Sequence, residues 1–193
     1  MNWKDFLKDV SEAISKSEDL QSKFESERDS KWLGFSEASD SEISKSEERL
    51  QIILPPSYKQ FLKASNGFKQ LNTYVWDILP VEKIDWIKYH DPEFYELYSG
   101  ENGQPFNASD EEYFIYGDNQ KSTDFRSTYL IDCLAISKWG DSSIVLLNPH
   151  VKFGEEWEAW VFTIWSYGPS RYKSFEELMK KEYEAFIELQ NDL

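Results

Sequence analysis

The chain has 193 residues, 40% hydrophobic and 17% aromatic, with 21 Lys+Arg against 36 Asp+Glu for a formal charge of −15. This length fits one domain with at most an appendage, the aromatic content can bury a real core, and a polyanion of this strength repels phosphate backbones, which argues against direct nucleic-acid binding. No apolar run approaches the roughly 20 residues needed to span a bilayer, no secretory signal opens the chain at Met1-Asn2-Trp3-Lys4-Asp5, and Cys133 is the only cysteine, so a soluble, reduced, cytoplasmic protein is expected.

Apolar groups at Trp3, Phe6, Leu7, Val10, Ile14, Leu20 and Phe24 recur at helical spacing and predict an amphipathic helix over 3–24, ending in the polar stretch 25–31. This helix reads as an N-terminal extension, residues 1–30, docked on a main domain at 31–193. Ser39 with Glu42 three positions later matches a capping box. Ile43 and Leu50 then lie a heptad apart, with Glu47 near the same face, and Leu54-Pro55-Pro56 stops the helix. A carboxylate beside an apolar face calls for a charge partner or a backbone donor. Pro56 starts a second helix whose apolar face is Tyr58, Phe61 and Leu62, and Asn66-Gly67 ends it.

Beyond Gly67 the pattern turns to strands. The runs Thr73–Pro80, Tyr113–Tyr116, Thr128–Ile136, Ile144–Asn148 and Glu158–Trp165 read as β, the last of them as the final strand. Short helices are predicted within 81–98, interrupted by Pro92, and a loop over 99–110. Ser174 and Glu177 repeat the capping pattern ahead of a closing amphipathic helix carrying Phe175, Leu178, Met179, Tyr183, Phe186 and Ile187. Several β runs at short spacing without intervening helices predict an α+β fold around a central, mainly antiparallel β-sheet, mixed pairing left open, with helices N-terminal to it and one C-terminal helix closing it.

Charge is unevenly spread. Between Asp91 and Asp124 nine acidic residues face only Lys121, leaving −8 in this window. A solvated acidic loop is one account; a docking surface for a basic protein is the other. On the second account Glu93, Glu96, Asp110, Glu111, Glu112 and Asp118 steer the partner while Tyr95, Tyr98 and Tyr113, as exposed aromatics, anchor it.

Motifs for chemistry are missing. His90 and His150 share no metal-ligand spacing with each other or with Cys133, which reads as a buried inert thiol. No GxSxG, phosphate-binding glycine loop or Cys/His pair occurs. Glu155, Glu156 and Glu158 flank Trp157, but glycoside-type chemistry needs two carboxyls about 5–10 Å apart across a cleft, and a polar strand entry accounts for them. No cofactor, metal or catalytic residue is expected, and the chain does not read as an enzyme.

The ordered set Ile43, Glu47, Leu50, Leu54-Pro55, Tyr58, Phe61-Leu62 and Asn66-Gly67 resembles the signature of the SMI1/KNR4 family, the SUKH superfamily. Gly140-Asp141, Leu146-Leu147, the strand ending at Trp165 and Ser174-Phe175-Glu176-Glu177-Leu178 extend the likeness over about 31–187. Asn148 departs from it, standing where the family often has an aspartate. The resemblance implies a sheet with helices before it and one after. It also implies a bacterial immunity protein that binds and neutralises a cognate toxin, a basic nuclease domain in the expected case. The alternatives are a regulatory scaffold of the fungal type and, further off, a carboxylate-based hydrolase.

Overall fold

The computed structural model describes residues 1–27, 31–99 and 106–191. Asn2 opens helix α1 (Trp3–Lys16), its side-chain oxygen accepting from the backbone N–H groups of Lys4 and Asp5 that would otherwise lack partners. The helix is shorter than the spacing over 3–24 predicts. It stops at Ser17, which is extended, and Leu20 and Phe24 reach the core from a separate 3-10 segment, Gln21–Glu27. The apolar rhythm continues past the helix end because both segments face one core.

Helix α2 (Asp40–Leu50) carries the full Ser39–Glu42 capping box and ends at Gln51 in the left-handed region, φ 58°. Glu47 accepts from the Leu54 backbone N–H at 2.8 Å and pairs with Lys59 at 3.2 Å, as a carboxylate beside an apolar face requires. Helix α3 (Pro56–Ala64) has no side-chain cap of its own at Pro55. A carboxylate remote in sequence fills the role: Glu156 accepts from the Ser57 N–H at 2.9 Å and from its hydroxyl at 2.6 Å. Gly67 follows at φ 98°, where a Cβ would stand 2.6 Å from the Ile78 carbonyl oxygen; only glycine meets both demands. Strands β1 (Phe68–Gln70) and β2 (Trp76–Ile78) then pair antiparallel.

The rest of the chain builds the main sheet. Strand β3 (Asp85–Trp86) leads into helices α4 (Ile87–His90), α5 (Pro92–Ser99), α6 (Asp110–Tyr113) and α7 (Ser127–Leu130), followed by β4 (Leu134–Ala135), β5 (Ser143–Phe153), β6 (Glu156–Thr163), β7 (Gly168–Tyr172) and α8 (Phe175–Asn191). Among the described residues the order is β3-β4-β5-β6-β7, every pair antiparallel, and α8 closes an α+β fold.

Several predicted strands differ. Tyr113–Tyr116 is not a strand: Ser109 and Glu112 form a capping box that starts α6 there. Within Thr128–Ile136 a helical turn comes first and only Leu134–Ala135 is β. Thr73–Pro80 contributes three strand residues. The strand at Glu158 begins at Glu156, ends at Thr163 and is followed by β7. Pro169 is tolerated because β7 is an edge strand, and the Gln120 side chain satisfies the open edge, accepting from the Arg171 N–H at 2.8 Å and donating to its carbonyl at 3.3 Å. The predicted loop over 99–110 lies partly outside the described residues, as does Glu101.

Side-chain alternation along β5 and β6 divides the core in two. Val145, Leu147, Trp157, Ala159 and Val161 face α1, α2, α3 and α8. There Trp3 stacks on Phe175 at 5.6 Å, and Tyr58 and Phe61 meet the same ring at 5.0 and 5.2 Å, so α1 shares the core of the main body. Ile144, Leu146, Trp160 and Phe162 face the opposite way, under the layer formed by α4 to α7. That second layer carries the acidic window.

Candidate functional surface

Segment 113–116 of the acidic layer is fastened to the sheet through a buried carboxylate. Glu158 lies opposite Asn148 in the β5–β6 register and points to the same side as Trp160 and Phe162, with no exposed surface. A buried carboxylate is costly unless fully partnered. Here Oε2 accepts from the Tyr113 hydroxyl at 2.5 Å, Asn148 Nδ2 at 2.7 Å and the Trp160 indole N–H at 2.7 Å. Oε1 accepts from the Tyr116 hydroxyl at 2.6 Å and stands 3.8 Å from the Arg171 guanidinium. Burial, and then the charge of Glu158, push both tyrosine hydroxyls well above their ordinary pKa, so both remain protonated donors.

Arg171 completes the fastening. It faces Trp160 across the β6–β7 pair and is itself fully buried. Its guanidinium donates to the Tyr113 carbonyl and, at 3.3 Å, to that of Ile115, and packs against the Tyr113 ring at 4.3 Å. Segment 113–120 is therefore held at side chains, at carbonyls and, through Gln120, at the strand edge. Asn148 fits this site physically: its amide donates to Glu158, whereas an aspartate there would set a second carboxylate against the first.

The predicted site residues fall into three groups. Glu93 and Glu96 on α5, Glu111 on α6 and Asp118 in a following 3-10 turn are exposed; the first three have no ion-pair partner among the described residues, and Asp118 lies within the field of Lys181. Asp110 and Glu112, also exposed, have structural partners: Asp110 pairs with Arg126, and Glu112 accepts from the Ser109 N–H at 3.0 Å, which lowers its pKa. Of the aromatics, Tyr95 and Tyr98 are half-buried, Tyr98 packing on Phe94 at 5.0 Å and Phe162 at 5.7 Å. Tyr113 corrects the expectation of an exposed anchor. It is wholly buried because its hydroxyl is needed by Glu158. The polar-entry reading of Glu158 fails for the same reason. Tyr116, Asn148 and Arg171 were not singled out as a set, although Glu158 at the i−2 and i−4 positions to Trp160 and Phe162 already marks an acid on an apolar face.

Little converges for chemistry. No group of three His, Cys, Asp or Glu residues able to hold a metal occurs among the described residues. His150 pairs with Asp132 at 2.8 Å and stacks on Tyr129 at 4.9 Å; the shallow cleft beside it is lined by Trp86, Lys88, Ile131, Asp132, Pro149 and His150, with no hydroxyl or thiol. Burial lowers the pKa of His90 and raises that of the Cys133 thiol.

The profile of the SMI1/KNR4 family (SUKH-1) matches residues 37–181, from the cap of α2 into α8. The chain belongs to this family. No curated protein matches it. Membership makes it an immunity-protein-like or SMI1-type module, a class that generally works through protein–protein interaction. No described helix of this SMI1/KNR4 domain is long and apolar enough to cross a membrane.

Proposed function

We propose that this SMI1/KNR4 protein is a bacterial, cytoplasmic immunity protein that binds and neutralises a cognate toxin, a basic nuclease domain. The observation that carries the reading is the acidic layer itself: Glu93, Glu96 and Glu111 are exposed without an ion-pair partner among the described residues and Asp118 is exposed within the field of Lys181, on a layer held to the sheet by Glu158 and Arg171 at 113–120 and by Phe94 and Tyr98 against Phe162 at α5. A fixed field of one sign raises the encounter rate with an oppositely charged protein and disfavours other acidic ones. A basic nuclease surface suits this field, because such an enzyme must itself hold a polyanion. Inhibition on this reading is by steric cover and charge neutralisation, with no bond made or broken. The test is co-expression with the toxin encoded beside its gene. Protection of the host and a stable purified complex are expected; unprotected cells and no complex refute the reading for that pair.

A further inference from the structure

Three turns distant in sequence meet where β5 starts and β6 ends, and together they present large apolar side chains to solvent. Tyr74 comes from the turn before β2 and Trp76 from the first position of β2, the Trp139–Ser142 turn lies between, and Ile164, Trp165 and Tyr167 come from the β6–β7 connection. Tyr74 meets Trp165 edge-on at 6.1 Å. Gly140 lies so close beneath that a Cβ would fall 1.9 Å from the Tyr74 carbonyl oxygen. Ile164 donates its N–H to the Ser142 carbonyl at 3.0 Å.

These turns are braced. Asn72 Oδ1 accepts from the N–H groups of Tyr74 and Val75 at 2.9 and 2.7 Å, while its amide donates to the half-buried Glu182 at 2.8 Å. The Trp76 indole donates to the Thr73 carbonyl at 2.9 Å. Ser166 Oγ has both the Thr163 and Gly168 carbonyls within reach of its one O–H, at 3.1 and 3.0 Å, and Ser122 Oγ donates to the Ser166 carbonyl at 2.6 Å. Aromatic side chains on braced turns lose little freedom on binding, the condition under which Trp and Tyr dominate interfaces.

Tyr167 carries the inference furthest. It is 72% exposed and sits at φ 60°, in the left-handed region, which glycine takes freely and a bulky L-residue does not. In the isolated protein a glycine would serve better at this turn. An exposed ring kept at a strained position fits a contact made elsewhere.

We propose that this aromatic platform is the anchor on which a basic protein partner docks, the acidic layer supplying the attraction; the inference rests on the reading given under Proposed function. Charge selects this occupant over a second copy, since self-association would oppose two molecules of −15 each. Around the platform, Lys138 is paired with Asp77 at 2.6 Å and Lys23 lies over the Trp76 ring at 4.1 Å, while Lys121, Asp124 and Asp141 flank the turns. Helix α5 adjoins through Trp139, whose indole donates to Asp91 at 2.8 Å and whose ring meets Phe94 at 5.1 Å. Helix α5, which carries the exposed Glu93 and Glu96, therefore adjoins the same end of the sheet.

The experiment is titration calorimetry of the full chain against the purified, catalytically inactive toxin domain encoded beside its gene, with Tyr167→Gly and Trp165→Ala as variants. Both are expected to bind at least about 30-fold more weakly, the scale of an interface hot spot, while Tyr167→Gly melts no lower than the native chain because glycine relieves the turn. Native binding with both variants within about two-fold of it overturns the platform and leaves the functional reading intact. Absence of native binding overturns both. A native dimer that Tyr167→Gly converts to monomer, seen by analytical ultracentrifugation, overturns the choice of occupant.

Discussion

Replacing Glu158 by glutamine tests whether a buried carboxylate holds segment 113–120 on the sheet. Glutamine keeps the shape. With its carbonyl in the place of Oε2 it still accepts from Tyr113, Asn148 and Trp160. Its NH2 then takes the place of Oε1, where the Tyr116 hydroxyl can turn to accept but the Arg171 guanidinium, 3.8 Å away and fully buried, loses its counter-charge. Breaking a buried ion pair at one partner costs about 3–5 kcal/mol. Arg171 keeps its bonds to the Tyr113 and Ile115 carbonyls, so the lower end, about 3 kcal/mol, is expected, a large part of a typical domain stability of about 5–15 kcal/mol. Urea unfolding followed by circular dichroism measures the loss, and hydrogen exchange should localise it to 113–120. Combining Glu158→Gln with Arg171→Met should cost at least about 1 kcal/mol less than the sum of the single losses, because the second change removes the stranded charge. A Glu158→Gln protein within about 0.5 kcal/mol of the native one refutes the reasoning.

Three further perturbations separate other parts of the molecule. Gly67→Ala places a Cβ 2.6 Å from the Ile78 carbonyl oxygen at φ 98° and should cost about 2–3 kcal/mol in urea unfolding, a loss under about 1 kcal/mol counting against it. Burial raises the pKa of Glu182 above its ordinary value of 4.5, with hydrogen bonds from Tyr172 and Asn72 opposing the shift. The folded protein thus holds this proton more tightly than the unfolded chain, a contribution fully present below the unfolded pKa and lost as pH rises through the folded one. Glu182→Gln should therefore gain stability relative to the native chain as pH rises above the ordinary carboxyl value of 4.5, and a difference that does not change with pH contradicts this. Reversing Glu93, Glu96, Glu111 and Asp118 to Lys, with Glu112 spared because it caps α6, should slow toxin association about ten-fold at low salt and flatten its salt dependence; unaltered stopped-flow kinetics would mean that these acids serve only solubility.

What was legible in the sequence was local. The Ser39–Glu42 box, the corner at Pro55-Pro56 and the backbone partner of Glu47 each involve residues within a turn or two of one another, and spacing exposes them. Ser109–Glu112 obeys the same logic, yet the β-rich run Tyr113–Tyr116 just after it predicts a strand, and the cap decides the conformation. At α8 the Ser174 hydroxyl accepts from the Glu177 N–H as expected, but the Glu177 carboxylate reaches back to the Lys173 N–H, one residue beyond the box geometry. Strand β7 lies beyond the last predicted strand because Gly168 and Pro169 carry no strand signal, and what makes a strand of them is the edge of β6 on one side and the Gln120 amide on the other.

Exposure was the illegible quantity, and it matters most for function. Tyr113 and Tyr167 are the same residue in similarly polar, turn-rich surroundings, yet one is fully buried and the other 72% exposed. The difference arises from contacts 45 and more residues away, where Glu158 draws the Tyr113 hydroxyl inward and the β6–β7 turn finds no described element above it. A high aromatic content therefore predicts a core and a recognition surface alike, and cannot apportion residues between them. Backbone conformation can. A buried aromatic at an ordinary φ is explained by packing, whereas an exposed one held at φ 60° adds strain to the free protein without burying its ring. If binding does not use that ring, Tyr167→Gly should be the rare change that improves the fold and alters nothing else.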